Sequence, residues 1–206
     1  MKYIVANLKS SLNDNNIDEY ISIINKISYS NLIICPSKKY INSFDKKIKI
    51  GTQDYYDDIK KDYCIIGHYE KKNTSEEINN KVKNALNNNI NVFLCVGNYD
   101  YNDIDALKKE LDLYLKDIDD FSKISIAYEP YFMINTNKKI DYNKVNKCII
   151  FIKKYFNNKV KVFYGGNVND KSIDEILKIC DGIFLGRASF DPYNLTNMVN
   201  KIRKNI

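Results

Sequence analysis

Tyr63-Cys64-Ile65-Ile66-Gly67-His68-Tyr69-Glu70 joins an apolar run to a glycine, to the one histidine in 206 residues and to a carboxylate. The run Tyr63 to Ile66 reads as a buried strand. Gly67 permits a tight turn at its C-terminal end, and Glu70 favours the start of a helix, where negative charge suits the dipole. His68 is thereby placed at a strand-to-helix corner. Taken alone, such a histidine serves equally well as a ring satisfied by neighbouring backbone.

Working outward, short β-rich apolar segments recur along the chain: Tyr3-Ala6, Leu32-Cys35, Ile48-Gly51, Tyr63-Ile66, Val92-Val96, Ile124-Tyr128, Val160-Tyr164 and Gly182-Leu185. Amphipathic, lysine-rich stretches lie between them. Helical spacing is seen in Ile17-Tyr20-Ile21-Ile24, Ile78-Val82-Ala85-Leu86, Leu107-Leu111-Tyr114 and Val145-Cys148-Ile149-Ile152. Eight strands alternating with helical stretches predict an α/β fold, a compact (β/α)₈ barrel formed by residues 1–206 as one domain. Six of the seven glycines (Gly51, Gly67, Gly97, Gly165, Gly166 and Gly186) are expected at the C-terminal ends of strands 3, 4, 5, 7 and 8. That is the rim on which barrel active sites lie, and glycine there lets backbone approach a ligand closely.

Composition narrows the function classes. The chain is 44% hydrophobic with 17 Tyr and 9 Phe, enough for a sizeable core. No apolar run approaches the ~18 residues of a membrane span, and the N-terminus lacks the pattern of a signal peptide, so a cytoplasmic protein is expected. The five cysteines are widely spaced and read as reduced, buried side chains rather than bridges or metal ligands. The +6 charge comes mostly from lysine, with Arg187 and Arg203 the only arginines. It argues weakly for nucleic acid and mildly for an anionic ligand.

Several motifs, in order, resemble those of the triosephosphate isomerase family over nearly the whole chain. Ala6-Asn7-Leu8-Lys9 is similar to the family's Asn-x-Lys, Gly67-His68-Tyr69-Glu70 to Gly-His-Ser-Glu, and Leu94-Cys95-Val96-Gly97 to Leu-Cys-Ile-Gly. Ala127-Tyr128-Glu129-Pro130 matches Ala-Tyr-Glu-Pro, Ile134-Asn135-Thr136-Asn137-Lys138 stands for Ile-Gly-Thr-Gly-Lys, and Tyr164-Gly165-Gly166-Asn167 for Tyr-Gly-Gly-Ser. Asp181-Gly182-Ile183-Phe184-Leu185-Gly186-Arg187-Ala188-Ser189 aligns with Asp-Gly-Phe-Leu-Val-Gly-Gly-Ala-Ser.

The resemblance implies an isomerase interconverting dihydroxyacetone phosphate and D-glyceraldehyde 3-phosphate through an enediolate, without metal or cofactor. That chemistry needs a base for the proton α to the carbonyl, an acid on the carbonyl and a cation near the enediolate oxygens. Glu129, His68 and Lys9 would fill those roles, following the worked scheme for this enzyme in which a glutamate is the base and a neutral histidine the electrophile. Asn7 and Glu70 would support them, with Cys95 beside the site. Pro130 to Lys138 corresponds to the family's lid, and the phosphate would meet the lid at Asn135, the loop Gly165-Gly166-Asn167 and the turn at Gly186-Arg187. Tyr69, Asn135, Asn137, Asn167 and Arg187 depart from the family pattern, which keeps a non-catalytic phosphosugar-binding barrel as the alternative. Only Asp54 to Gly67 separates Gln53 from His68, a span expected to hold a short helix and strand 4. The family's long interdigitating loop has no room there, so a monomer or a non-standard dimer is expected.

Overall fold

The computed structural model describes residues 2–97, 103–134, 136 and 138–204. Eight parallel strands close into a barrel in sequence order: β1 (Tyr3–Asn7), β2 (Leu32–Cys35), β3 (Lys49–Thr52), β4 (Tyr63–Ile66), β5 (Asn91–Val96), β6 (Ile124–Tyr128), β7 (Lys161–Tyr164) and β8 (Gly182–Leu185). Closure is made by β1 against β8, with Val5 opposite Phe184. Strands of four to six residues suffice because each is paired on both sides and no edge is left exposed.

Alternation along each strand separates two apolar layers. Val5, Ile33, Ile65, Phe93, Phe163 and Phe184 point inward and fill the barrel, while Ile4, Ala6, Leu32, Ile34, Cys64 and Ile66 face the helices. The interior is solid: Phe163 meets Phe93 edge-on at 5.4 Å and Tyr3 at 6.0 Å. Gly182 makes room for that ring, since a Cβ there would lie 2.7 Å from it and 2.6 Å from the Tyr3 carbonyl. All five cysteines are buried, and none is in a disulfide.

The helices among the described residues are α1 (Ile17–Ile24), α2 (Ser75–Asn87), α3 (Ile104–Tyr114), α4 (Tyr142–Tyr155), α5 (Ile173–Ile179) and α6 (Pro192–Lys204). α2 starts on a capping box in which Thr74 and Glu77 satisfy each other's backbone N–H. Asp103 and Asp141 cap α3 and α4. Asparagine supplies left-handed backbone where glycine is scarce, as at Asn89, Asn157 and Asn158.

One expectation is corrected. Helices do not follow every strand: between β2 and β3 there is only a 3₁₀ turn, Lys38–Tyr40, and the connection from β3 to β4 contains no helix at all. Gln53 to Asp62 is too short for a helix plus two turns. Its surroundings compensate: Asp54 is buried in an ion pair with Lys81 of α2 at 2.7 Å, and Asn88 donates to the Tyr55 hydroxyl at 3.0 Å. Gly51, expected as the last residue of strand 3, is the third of β3, and a Cβ there would lie 2.8 Å from the Cys35 sulfur.

Candidate active site

The C-terminal rim of the barrel surrounds a cavity of about 370 Å³ walled by Asn7, Lys9, His68 and Glu129 on one side and by Asn167 and Arg187 on the other. A more open recess of about 550 Å³ adjoins it and shares Asn7, Lys9, His68 and Arg187. Each of these side chains is set in place by a strand end.

Lys9, just past β1, has left-handed backbone with φ 48°, unusual for a lysine and mildly costly. Two side chains hold it so. The carboxamide oxygen of buried Asn7 accepts from the Lys9 N–H at 3.1 Å, and Gln53 donates to the Lys9 carbonyl at 2.8 Å and to the Cys35 carbonyl at 3.0 Å. The Lys9 ammonium donates to Glu70 at 2.7 Å and to the Tyr69 hydroxyl at 3.3 Å. Burial pulls the Lys9 pKa down, but the Glu70 and Tyr69 bonds outweigh it and leave the ammonium above its ordinary value. For Glu70, burial raises the carboxyl, while the bond and charge of Lys9 dominate and hold it below its usual value.

His68 follows Gly67, whose φ of +82° makes the turn; a Cβ at that glycine would lie 2.9 Å from the Cys95 carbonyl. The helix begun at Glu70 is a single 3₁₀ turn, Tyr69–Lys71, and His68 makes no side-chain cap to it. Its ring is 4% exposed, with Nδ1 2.9 Å from Glu129 Oε2. Nε2 is buried without a hydrogen-bond partner among the described residues, and Glu70 at 3.7 Å is too far to supply one.

Glu129 extends β6 and crosses towards β5: its N–H donates to Val96 at 2.8 Å, and the N–H of Tyr131 donates to Gly97 at 2.9 Å. Cys95, inside the barrel below, is buried; burial first, then the Glu129 charge and hydrogen bond, push its thiol well above the ordinary value. His68, Cys95 and Glu129 offer ligand atoms within 4.8 Å of one another, a spacing one ion would fit. In this structure the same atoms bond one another, His68 Nδ1 to Glu129 at 2.9 Å and the Cys95 thiol to the Glu129 carboxylate.

The glycines of strand 7 act differently from one another. Gly165 admits the Glu129 side chain, whose Cγ would be 2.7 Å from an added Cβ, but its N–H is already donated to the Tyr128 carbonyl at 3.0 Å. Gly165 therefore offers a ligand close approach and no N–H. Gly166 does not line the cavity; it packs on the Tyr164 hydroxyl, where a Cβ would collide. Asn167, left-handed at φ 52°, lines the cavity and donates to the Lys138 carbonyl at 3.0 Å, tying this loop to the end of the segment that follows Glu129. Gly186 stands beside the Lys9 stem, and the 3₁₀ turn Arg187–Ser189 opens at the cavity. Arg187 is exposed there and makes no ion pair among the described residues. Asn135 and Asn137 lie outside the described residues.

Sequence reading passed over two braces. Gln53 fixes the Lys9 backbone, and Asn194 of α6 donates to the Ala188 carbonyl at 2.6 Å and steadies the strand-8 turn. Gln53 carried a signal in its place at the end of strand 3. Asn194 carried none, being one asparagine among many on a polar helix.

The family model for triosephosphate isomerase matches residues 52–202. The triosephosphate isomerase of Campylobacter concisus is 30% identical over 229 aligned positions covering 97% of this chain and 98% of that protein. That of Ureaplasma parvum is 28% identical with 98% of both chains covered, and that of Mycoplasma mobile 28% over 84% of this chain and 76% of its own. The 229 aligned positions exceed the 206 residues here, so the Campylobacter protein carries residues that this chain lacks.

Proposed function

The chain belongs to the triosephosphate isomerase family, and from that premise we propose that it interconverts dihydroxyacetone phosphate and D-glyceraldehyde 3-phosphate with Glu129 as base, His68 as electrophile and Lys9 as the cation beside the enediolate. One observation carries the reading: a carboxylate, an imidazole with an unpartnered buried nitrogen, and an ammonium converge on one cavity from three separate strand ends.

The His68–Glu129 contact constrains how the pair works. With both groups at 2.9 Å, one proton lies between Nδ1 and the carboxylate. A neutral ring with that proton on Nδ1 leaves Nε2 an acceptor, unable to polarise a carbonyl. Catalysis therefore requires the contact to open, so that Glu129 turns to the substrate carbon and the ring carries its proton on Nε2, facing the carbonyl oxygen. The Cys95 thiol beneath Glu129, raised by burial and by the Glu129 charge and hydrogen bond, donates to the carboxylate and orients it. The phosphate lies against Asn167 and the turn at Gly186 and Arg187, with the segment from Pro130 closing over it to exclude water. We further read residues 1–206 as one domain working in the cytoplasm. No helix among the described residues is long and apolar enough to cross a membrane.

The test is a coupled isomerase assay on the wild type beside Glu129→Gln and His68→Ala. The amide cannot accept the substrate proton, so turnover should fall by at least ~10²–10⁴-fold in Glu129→Gln, with a comparable loss in His68→Ala. Near-wild-type turnover in either variant would refute the assignment, and a wild type that binds the triose phosphates without converting them would make the chain a phosphosugar-binding barrel.

A further inference from the structure

Lys9 poses a positional problem that its own strand does not solve. Asn7 and Gln53 fix its backbone, but the ammonium sits at the end of a four-carbon stem with substantial rotamer freedom. A cation that is to meet an enediolate oxygen has to be held at that end as well.

Tyr69 meets this need from several sides. Its hydroxyl accepts from Lys9 Nζ at 3.3 Å and donates to Glu70 Oε1 at 3.1 Å, while Nζ donates to the same Glu70 oxygen at 2.7 Å. The three polar atoms form a closed triangle. The Tyr69 ring lies 5.0 Å from the ammonium, within cation–π range. The same ring packs edge-on against His68 at 4.7 Å and against Tyr131 at 5.4 Å, and Tyr131 begins the 3₁₀ turn that follows Glu129. A single rigid side chain thus touches the ammonium, its counter-charge, the imidazole and the root of the segment expected to close over the cavity.

We propose that Tyr69 is a positioning residue for the isomerisation, anchoring the Lys9 ammonium through the Tyr69–Glu70 triangle and seating the turn after Glu129, so that the site is braced from within one chain. This rests on the reading of Lys9 given above. It goes beyond that reading because a serine, which the family pattern carries here, lacks the reach and the ring to make any of these contacts.

The experiment is a mutant cycle on kcat/KM with Tm followed in parallel, using Tyr69→Phe, Tyr69→Ser, Lys9→Met and the double variant Lys9→Met/Tyr69→Phe. Tyr69→Phe keeps the ring contacts and removes the hydroxyl from the triangle. It should lower kcat/KM about tenfold, the loss expected for one hydrogen bond to a charged group, with Tm unchanged. Tyr69→Ser should lose about 10²-fold through misplacement of the ammonium. In the Lys9→Met background the Tyr69→Phe change should have no further effect, because the group it positions is gone. The Lys9 ammonium, followed by NMR, should also titrate at lower pH in Tyr69→Phe, since one bond that stabilises its charge is lost. Wild-type kcat/KM in Tyr69→Phe, or an equal loss with and without Lys9, would overturn the proposal. If Lys9→Met itself keeps wild-type turnover, the fault lies with the role given to Lys9.

Discussion

Arg187 shows most plainly how a single residue's setting decides its meaning. It stands at the opening of the strand-8 turn, lines the cavity, is exposed and has no carboxylate partner among the described residues. A salt bridge to a neighbouring loop, the ordinary use of a rim arginine, has no counterpart among the described residues. A guanidinium fork matches phosphate oxygens as lysine does not, so Arg187→Ala should raise KM about tenfold, read together with a weaker inhibition by inorganic phosphate. Unchanged values for both would show that the side chain does not reach the ligand. The Lys9–Glu70 pair gives a second expectation. Lys9 is raised above its ordinary 10.5, so its contribution is present below that pH and is lost as pH rises through the folded value. Glu70 is lowered below 4.5, so its contribution is present above that pH and is lost as pH falls through the folded value. The stability difference between wild type and Glu70→Gln should accordingly be flat from about pH 5 to 10 and shrink in acid. With Glu70 41% exposed it should amount to only about 0–1 kcal/mol in urea denaturation. At this scale sequence placed the charged side chains well, because each sits a fixed step beyond a strand. It did not predict that the Gly165 N–H would be spent on Tyr128, nor that the Asn167 amide would reach Lys138, since those depend on how neighbouring loops meet.

Elements were legible where the apolar period was long and the caps were strong. All eight strands fall within a residue of their expected bounds, and the four helices with a clear i, i+3/i+4 stripe are present. Expectation failed at the two crossovers around β3, where the alternation rule called for helices and the chain is too short to make them. Asp54 and Lys81 show what replaces a helix there: a part-buried ion pair that stitches the bare connection to α2, with Asn73 also accepting from Lys81 at 3.0 Å. Breaking such a pair leaves a charge without its partner in a largely desolvated place. Asp54→Ala should therefore destabilise by about 1–3 kcal/mol in urea denaturation. Asp54→Asn, which still accepts a hydrogen bond, should cost less. A loss within ~0.5 kcal/mol in Asp54→Ala would mean that the connection is held by Tyr55 and apolar packing instead.

For the whole molecule the decisive feature is the connection from Gln53 to Asp62, which passes directly from β3 to β4 without projecting an extended arm. The rim over β1 to β4 is correspondingly open, and the recess beside Lys9 is lined by Ser10, Ser37, Gln53 and Lys71, which are side chains suited to water. Among the described residues the large exposed apolar side chains are Leu113, Tyr131, Ile150 and Tyr193, and three of these lie on the outer helices α3, α4 and α6 rather than on that rim. Stable homodimers usually bury a broad, apolar-centred face, and among the described residues the rim next to the cavity exposes a single large apolar side chain, Tyr131. The expected state is a monomer, or a dimer formed through the outer helices that leaves both cavities open. Two measurements decide it. Light scattering across a range of protein concentrations should give the mass of one chain, or of a dimer whose association is weakened by Leu113→Lys or Ile150→Lys. Specific activity should be constant on dilution from micromolar to nanomolar, because Asn7 and Gln53 fix the Lys9 backbone and Tyr69 and Glu70 hold its ammonium. A fall in specific activity that tracks dissociation of a dimer would show that a second copy completes the site.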